Sequence, residues 1–88
     1  SVDTVAALTR KRFTVSGFVT EKEGGERLAG ATVAVSDKWG TTTNAYGFYS
    51  LTIPQADAHD LMVSLVGYQR AYQRVRLDRP LSLNIELV

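Results

Sequence analysis

The stretch LAGATVAVSDKWGTTTNAYGFYSLTI, residues 28–53, decides the fold that this sequence predicts. Two runs within it place an apolar residue at every second position, and this period puts each apolar set on one face of a strand. The two sets are Ala31, Val33 and Val35, and Tyr49, Leu51 and Ile53. Both faces are expected to form part of a core, so the stretch predicts three consecutive strands.

A tight turn is expected where Asn44 and Gly47 bracket Ala45 and Tyr46. Asn tolerates left-handed backbone, and Gly has no Cβ to restrict it. The turn separates a Thr-rich run from an apolar-alternating run, so the sequence predicts a hairpin here.

Outside this stretch the same alternation recurs. It begins at Phe13 and is cleanest in the last eight residues of the chain. Phe18 is apolar on the polar side of the first strand, which indicates partial cover of that face or a bulge at Gly17. The predicted strands are Phe13–Thr20, Thr32–Ser36, Gly40–Asn44, Gly47–Ile53, Leu61–Val66, Arg70–Leu77 and Leu81–Val88. Seven short strands with turn signals between them predict an all-β, seven-stranded Greek-key β-sandwich of the Ig-like kind.

Length and charge limit what the chain can be. Its 88 residues are expected to form one domain over residues 13–88, with a linker or flexible tail over residues 1–12. A helix over Val5–Leu8 within this tail would be too short to be stable alone. A net charge of +1 gives no field that would attract nucleic acid, and there is no cysteine. No apolar run is long enough to cross a bilayer, so no direct membrane insertion of the domain is expected.

Polar loops are expected at residues 21–27 and 55–60. The second contains Asp57, His59 and Asp60, which have metal-ligand chemistry, but a fixed third or fourth ligand is missing. A solvated loop is therefore the preferred interpretation, with no metal and no cofactor. No nucleophile constellation, phosphate loop or zincin motif is present. The sequence therefore predicts no catalytic residues and no enzymatic activity.

The candidate interaction residues are one tryptophan and one basic, aromatic strand face: Trp39, Tyr68, Arg70, Tyr72, Arg74 and Arg76. Trp39 either covers one end of the sandwich or offers a ring for stacking a sugar, and packing is preferred. The Tyr/Arg face either is a solvated sheet face, which is the preferred interpretation, or forms a surface for a protein partner or ligand. The second alternative is considered because these two residue types are enriched in interfaces.

Several short motifs resemble the carboxypeptidase regulatory-like domain, a small transthyretin-like (prealbumin-like) β-sandwich. They are Val15–Val19, Gly30–Val33, Gly40–Asn44, Gly47–Leu51 and Val66–Tyr68, and the resemblance extends over residues 13–88. One departure is the turn Asn44-Ala45-Tyr46-Gly47, where the family usually has Asp-Ala-Asn-Gly. The missing Asp argues against a cation site.

The resemblance implies a non-catalytic domain on the periplasmic side of the bacterial outer membrane. In Bacteroidetes-type bacteria the family occurs as the N-terminal extension of TonB-dependent receptors that take up nutrients such as glycans. The implied partners are the plug and barrel of the same chain and the energy-transducing machinery. A secretory signal is then expected before Ser1, and a plug and barrel after Val88. The alternatives are a carbohydrate-binding or adhesin-type module and an accessory domain of a secreted peptidase.

Overall fold

The computed structural model describes residues 10–88, which form two packed β-sheets with no α-helix. The strands are β1 (Arg12–Glu21), β2 (Thr32–Val35), β3 (Trp39–Thr42), β4 (Phe48–Pro54), β5 (Ala56–Ser64), β6 (Ala71–Leu77), β7 (Leu81–Ser82) and β8 (Ile85–Leu87). Sheet 1 contains β4, β1, β7 and β8, and sheet 2 has the order β3-β2-β5-β6. The predicted all-β sandwich is confirmed. A short helix over Val5–Leu8 would lie outside the described residues, as does most of the predicted linker. Arg12, the last residue of that linker, already begins β1.

The core lies between the two sheets and follows the predicted alternation. The fully buried members of the core include Val15, Val19, Val33, Tyr49, Ile53, Leu61, Val63, Leu77 and Leu87. Each lies at an inward position of a strand whose neighbouring residues point outward, as the period of two requires. Burial of these side chains is the main favourable term that holds the two sheets together.

The last predicted strand is divided into β7 and β8, both of which pair with β1 in parallel. At the break, the Leu83 carbonyl lies so close to β1 that a Cβ at Gly17 would be 2.6 Å from its carbon. The buried Tyr49 hydroxyl donates a hydrogen bond to this carbonyl (2.7 Å), and the Asn84 side chain accepts one from the Phe18 N–H (2.9 Å). Gly17 therefore permits a close backbone approach, and its register with β4 is regular.

The turn at residues 44–47 has the predicted chemistry. Asn44 Oδ1 accepts hydrogen bonds from the N–H groups of Tyr46 (2.9 Å) and Phe48 (3.1 Å), and Gly47 has a φ of +76°. The predicted hairpin is nevertheless wrong, because β3 pairs with β2 and β4 pairs with β1. The turn instead carries the chain from sheet 2 to sheet 1.

The prediction of a loop over residues 55–60 is also wrong, since β5 begins at Ala56 and pairs with β6. An irregularity between Ala56 and His59 interrupts the register of this pair. His59 is half-buried, and its Nε2 lies 2.7 Å from the Pro54 carbonyl oxygen. The segment is polar because the outward residues of this part of β5 are exposed to solvent, and this composition led to the prediction of a loop.

Candidate functional site

Strand β6 presents Tyr72, Arg74 and Arg76 on the outer face of sheet 2, and these three residues are called the arginine face. They are exposed, while Val75 and Leu77 on the opposite parity are buried. The neighbouring strand places Met62 opposite Tyr72 and Asp60 opposite Arg74. The basic and aromatic strand predicted from the sequence is thus present over Ala71–Leu77.

Ion pairs fix two arginines of this face. Arg74 donates from Nε to Asp60 Oδ1 (2.9 Å) and from Nη2 to Oδ2 (3.3 Å), a two-point contact that matches guanidinium geometry. These hydrogen bonds, followed by the Coulomb attraction, lower the pKa of Asp60 and raise that of Arg74. Asp78 binds both Arg76 (3.3 Å) and Arg79 (3.2 Å). One carboxylate therefore serves two guanidinium groups.

Tyr68 and Arg70 do not belong to this strand face, because β6 begins only at Ala71. Tyr68 lies in the preceding turn, where it is half-buried against the core and donates a hydrogen bond to Glu21 Oε1 (3.1 Å). Burial, and then this bond, raise the pKa of Tyr68. Arg70 is exposed, and no carboxylate among residues 10–88 pairs with it.

Trp39 lies apart from the arginine face. It opens β3, at the other edge of sheet 2, and faces inward in the same row as Val35 and Leu61. Three strand spacings of about 4.8 Å separate the backbones of β3 and β6 by about 14 Å. The half-buried indole packs against the core, with its ring edge-to-face to His59 at 6.5 Å between centroids. The six predicted residues therefore do not form one continuous surface.

A cleft between the sheets lies beside the arginine face, and sequence analysis missed it. It is bounded by β6 and β8, has a volume of about 350 Å³, and is lined by Val63, Ala71, Tyr72, Gln73, Asn84, Ile85 and Glu86. Gln73 has the inward parity of its strand, yet it is exposed because it opens into this cleft. No local pattern could reveal the cleft, since residues distant in sequence form it.

The outer face of sheet 1 carries a second aromatic group. Phe18 and Phe48 meet edge-to-face with 5.3 Å between ring centroids, and the Arg27 guanidinium carbon lies 4.0 Å from the Phe18 centroid. Both phenylalanines are half-buried. Phe18 can therefore be apolar on the outer face of β1, because Phe48 and Arg27 partly cover its ring.

The three residues with metal-ligand chemistry do not converge. His59 points inward toward the Pro54 carbonyl, whereas Asp60 points outward and binds Arg74. Over residues 10–88, no group of three His, Cys, Asp or Glu side chains is arranged to hold a metal ion. Within the same residues, no helix is long and apolar enough to cross a membrane.

Comparison with known families gives a direct match between residues 15–88 and the CarboxypepD_reg-like domain. The chain belongs to the CarboxypepD_reg-like domain family. The match extends from β1 to the last residue and includes both sheets and the arginine face. The family and the fold are those of an accessory β-sandwich module.

Two solved structures share the fold of this CarboxypepD_reg-like domain. One is a C-terminal interface mutant of a type II cohesin–X–dockerin complex from Acetivibrio cellulolyticus, at 17% identity and a TM-score of 0.72. The other is an N-terminal interface mutant of the complex from the same organism, at 16% identity and a TM-score of 0.72. In each case the alignment covers 85% of this chain and 56% of the matched chain, which is little more than half of it. No curated protein has a sequence that matches this one.

Proposed function

We propose that this CarboxypepD_reg-like domain is a non-catalytic accessory domain of a TonB-dependent outer-membrane receptor that takes up a nutrient such as a glycan. The observation that carries the proposal is the family match over residues 15–88. The domain acts on the periplasmic side of the outer membrane, through contacts with other proteins. Its partners are the plug and barrel of its own receptor and the periplasmic energy-transducing machinery.

The exposed arginine face supports a protein contact. Tyr72 is 69% exposed and lies next to Arg74 on the same strand face. Tyr and Arg, with Trp, are the residue types most enriched among those that dominate interface energies. A sugar-binding platform has less support, because Trp39 faces inward and Tyr68 is half-buried in a turn. Titration with oligosaccharides is expected to leave the Trp39 fluorescence unchanged. Saturable quenching would favour the carbohydrate-binding function instead.

The gene that encodes this chain provides the first test. The proposal predicts one reading frame with a secretory signal before Ser1, and a plug and a β-barrel of alternating strands after Val88. A peptidase catalytic domain in the same frame would replace the receptor function with that of a peptidase accessory domain. An array of similar sandwiches with no barrel would favour an adhesin.

Deletion of residues 13–88 from the whole receptor tests the role of the domain. The expected result is impaired growth on the imported nutrient, while the barrel still reaches the outer membrane. Growth equal to that of the intact receptor would contradict a role in uptake.

A further inference from the structure

One edge of sheet 2 is open along β6. Among residues 10–88, β6 pairs with β5 alone. On its other side, every second one of its seven residues therefore presents an unpaired backbone N–H and C=O. The edge strand of equal length, β4, lies beside β3 and ends in Pro54, which has no N–H. The remaining edge strands, β3, β7 and β8, have four residues or fewer. The β6 edge is therefore the longest that offers a continuous row of donors and acceptors.

The cleft between β6 and β8 gives this edge a second recognition element. The N–H of Gln69 donates to the Val88 carbonyl (2.8 Å), which joins the two sheets just before β6 begins. Beyond this bond the sheets separate and the cleft opens, with apolar side chains from Val63, Ala71 and Ile85 among its lining. A strand added to β6 would place every second side chain at this cleft.

The charges along β6 select the partner. Arg70, Arg74, Arg76 and Arg79 lie along or just beyond this strand. Among residues 10–88, the only carboxylates that pair with any of them are Asp60 and Asp78. Glu86, in the lining of the cleft, adds a third carboxylate, so four guanidinium groups against three carboxylates leave an excess of one positive charge. Arg70 has no carboxylate partner among the described residues. An approaching segment with acidic side chains on the outer face would be attracted, and a basic one repelled.

We propose that the open edge of β6 accepts an extended acidic segment of a partner protein as an added β-strand. Acidic side chains of that segment contact Arg70 and the arginine face, and the alternate, small apolar side chains enter the cleft. Backbone hydrogen bonds supply affinity, and the two rows of side chains supply specificity, as in other strand-addition complexes. This inference rests on the proposed function, because it names the surface and the kind of partner for the same protein contact.

A second copy of this chain is a poorer occupant of the edge. Antiparallel pairing of β6 with another β6 about Arg74 would place the two Arg74 side chains opposite each other. Antiparallel pairing about Gln73 would instead bring Arg70 of one copy opposite Arg76 of the other. Like charges directly opposite each other destabilise a strand pair.

The test is an NMR titration of the whole ¹⁵N-labelled chain with a synthetic eight-residue peptide that alternates glutamate and valine. The expected result is saturable amide shifts centred on residues 71–74, slower hydrogen exchange at the alternate amides among them that face the open edge, and weaker binding at higher salt. The same peptide with lysine in place of glutamate is expected not to bind. The double variant Arg70→Gln/Arg76→Gln is expected to weaken binding about 2- to 5-fold for each lost charge contact. Lys38→Gln, which removes one exposed charge at the opposite edge of the sheet, is expected to leave binding unchanged.

Several results would overturn the inference. One is amide shifts centred on another surface, and another is equal binding of the lysine peptide. A third is the absence of any shift up to a peptide concentration of about 1 mM, because a dissociation constant of about 1 mM, or about 4 kcal/mol of binding free energy, would still be detected. If the amide shifts of residues 71–74 depend on protein concentration in the absence of peptide, the edge binds a second copy of this chain and not an acidic partner. None of these results would affect the receptor function if the gene also encodes a plug and a barrel, so the two proposals can fail separately.

Discussion

Replacement of Thr43 by valine should remove two buried hydrogen bonds that connect the end of β3 to the loop before β2. The Thr43 hydroxyl donates to the Leu28 carbonyl (2.6 Å) and accepts from the Ala31 N–H (2.9 Å), and both contacts are buried. Valine has nearly the same shape but cannot make either bond, so one buried acceptor and one buried donor would be left unpaired. Each unpaired group costs about 1–3 kcal/mol, so the two together give a loss of about 2–6 kcal/mol. This is a large fraction of the roughly 5–15 kcal/mol that stabilises a domain.

Thr43→Ser is the matched control for this change. It keeps both hydrogen bonds and removes one methyl group, which costs about 1 kcal/mol. Urea denaturation of the two variants and the wild type measures their free energies of unfolding. The three values can be compared directly if the slope of free energy against urea concentration is the same for all three proteins. A Thr43→Val variant as stable as Thr43→Ser would refute the reasoning that the hydroxyl is needed.

Three further predictions concern the core and two titrating groups. Leu61→Ala should lower the free energy of unfolding by about 2–5 kcal/mol because Leu61 is fully buried. Thr42→Ala, at an exposed position, should lower it by less than about 0.5 kcal/mol. Equal losses for the two variants in urea denaturation would contradict the inward and outward orientation of these side chains. Asp60→Asn should lower the free energy of unfolding at pH values above the unfolded-state pKa of Asp, about 3.9. The difference between wild type and variant should vanish as the pH falls through the lowered pKa of Asp60 in the folded state, because protonation breaks the ion pair with Arg74. A difference in stability that persists in acid would argue against this ion pair. Burial raises the pKa of Tyr49 to about 12, so stability should fall as the pH rises from about 10 to about 12. Absorbance titration should show Tyr49 ionising last of the four tyrosines, after Tyr68, whose pKa is also raised. Four tyrosines ionising together would contradict the burial of Tyr49.

The period-two pattern could be read from the sequence because it depends on each residue and its near neighbours. Val33, Leu51 and Leu61 are buried as predicted, and the Asn44 turn uses the hydrogen bonds expected of Asn. The pairing of strands could not be read in the same way. The chain between β3 and β4 turns tightly, yet long-range partners place these strands in different sheets.

Part of the candidate site was equally predictable. Tyr72, Arg74 and Arg76 share a face because they alternate within one strand. Tyr68 was misassigned because the strand starts later than its alternation suggests, and its contact with Glu21 depends on the fold. The cleft beside β6 arises where two sheets separate, and no sequence period encodes such a separation.

Site-specific photo-crosslinking in cells tests most directly the claim that this domain acts through protein contacts at β6. A benzophenone amino acid would replace Tyr72 in the whole protein, and Tyr46 would be the control because the two side chains are 69% and 72% exposed. The account predicts adducts from position 72, identified by mass spectrometry as the receptor's own chain or a periplasmic protein, and few or none from position 46. No adduct at position 72, or equal adducts at both positions, would contradict it.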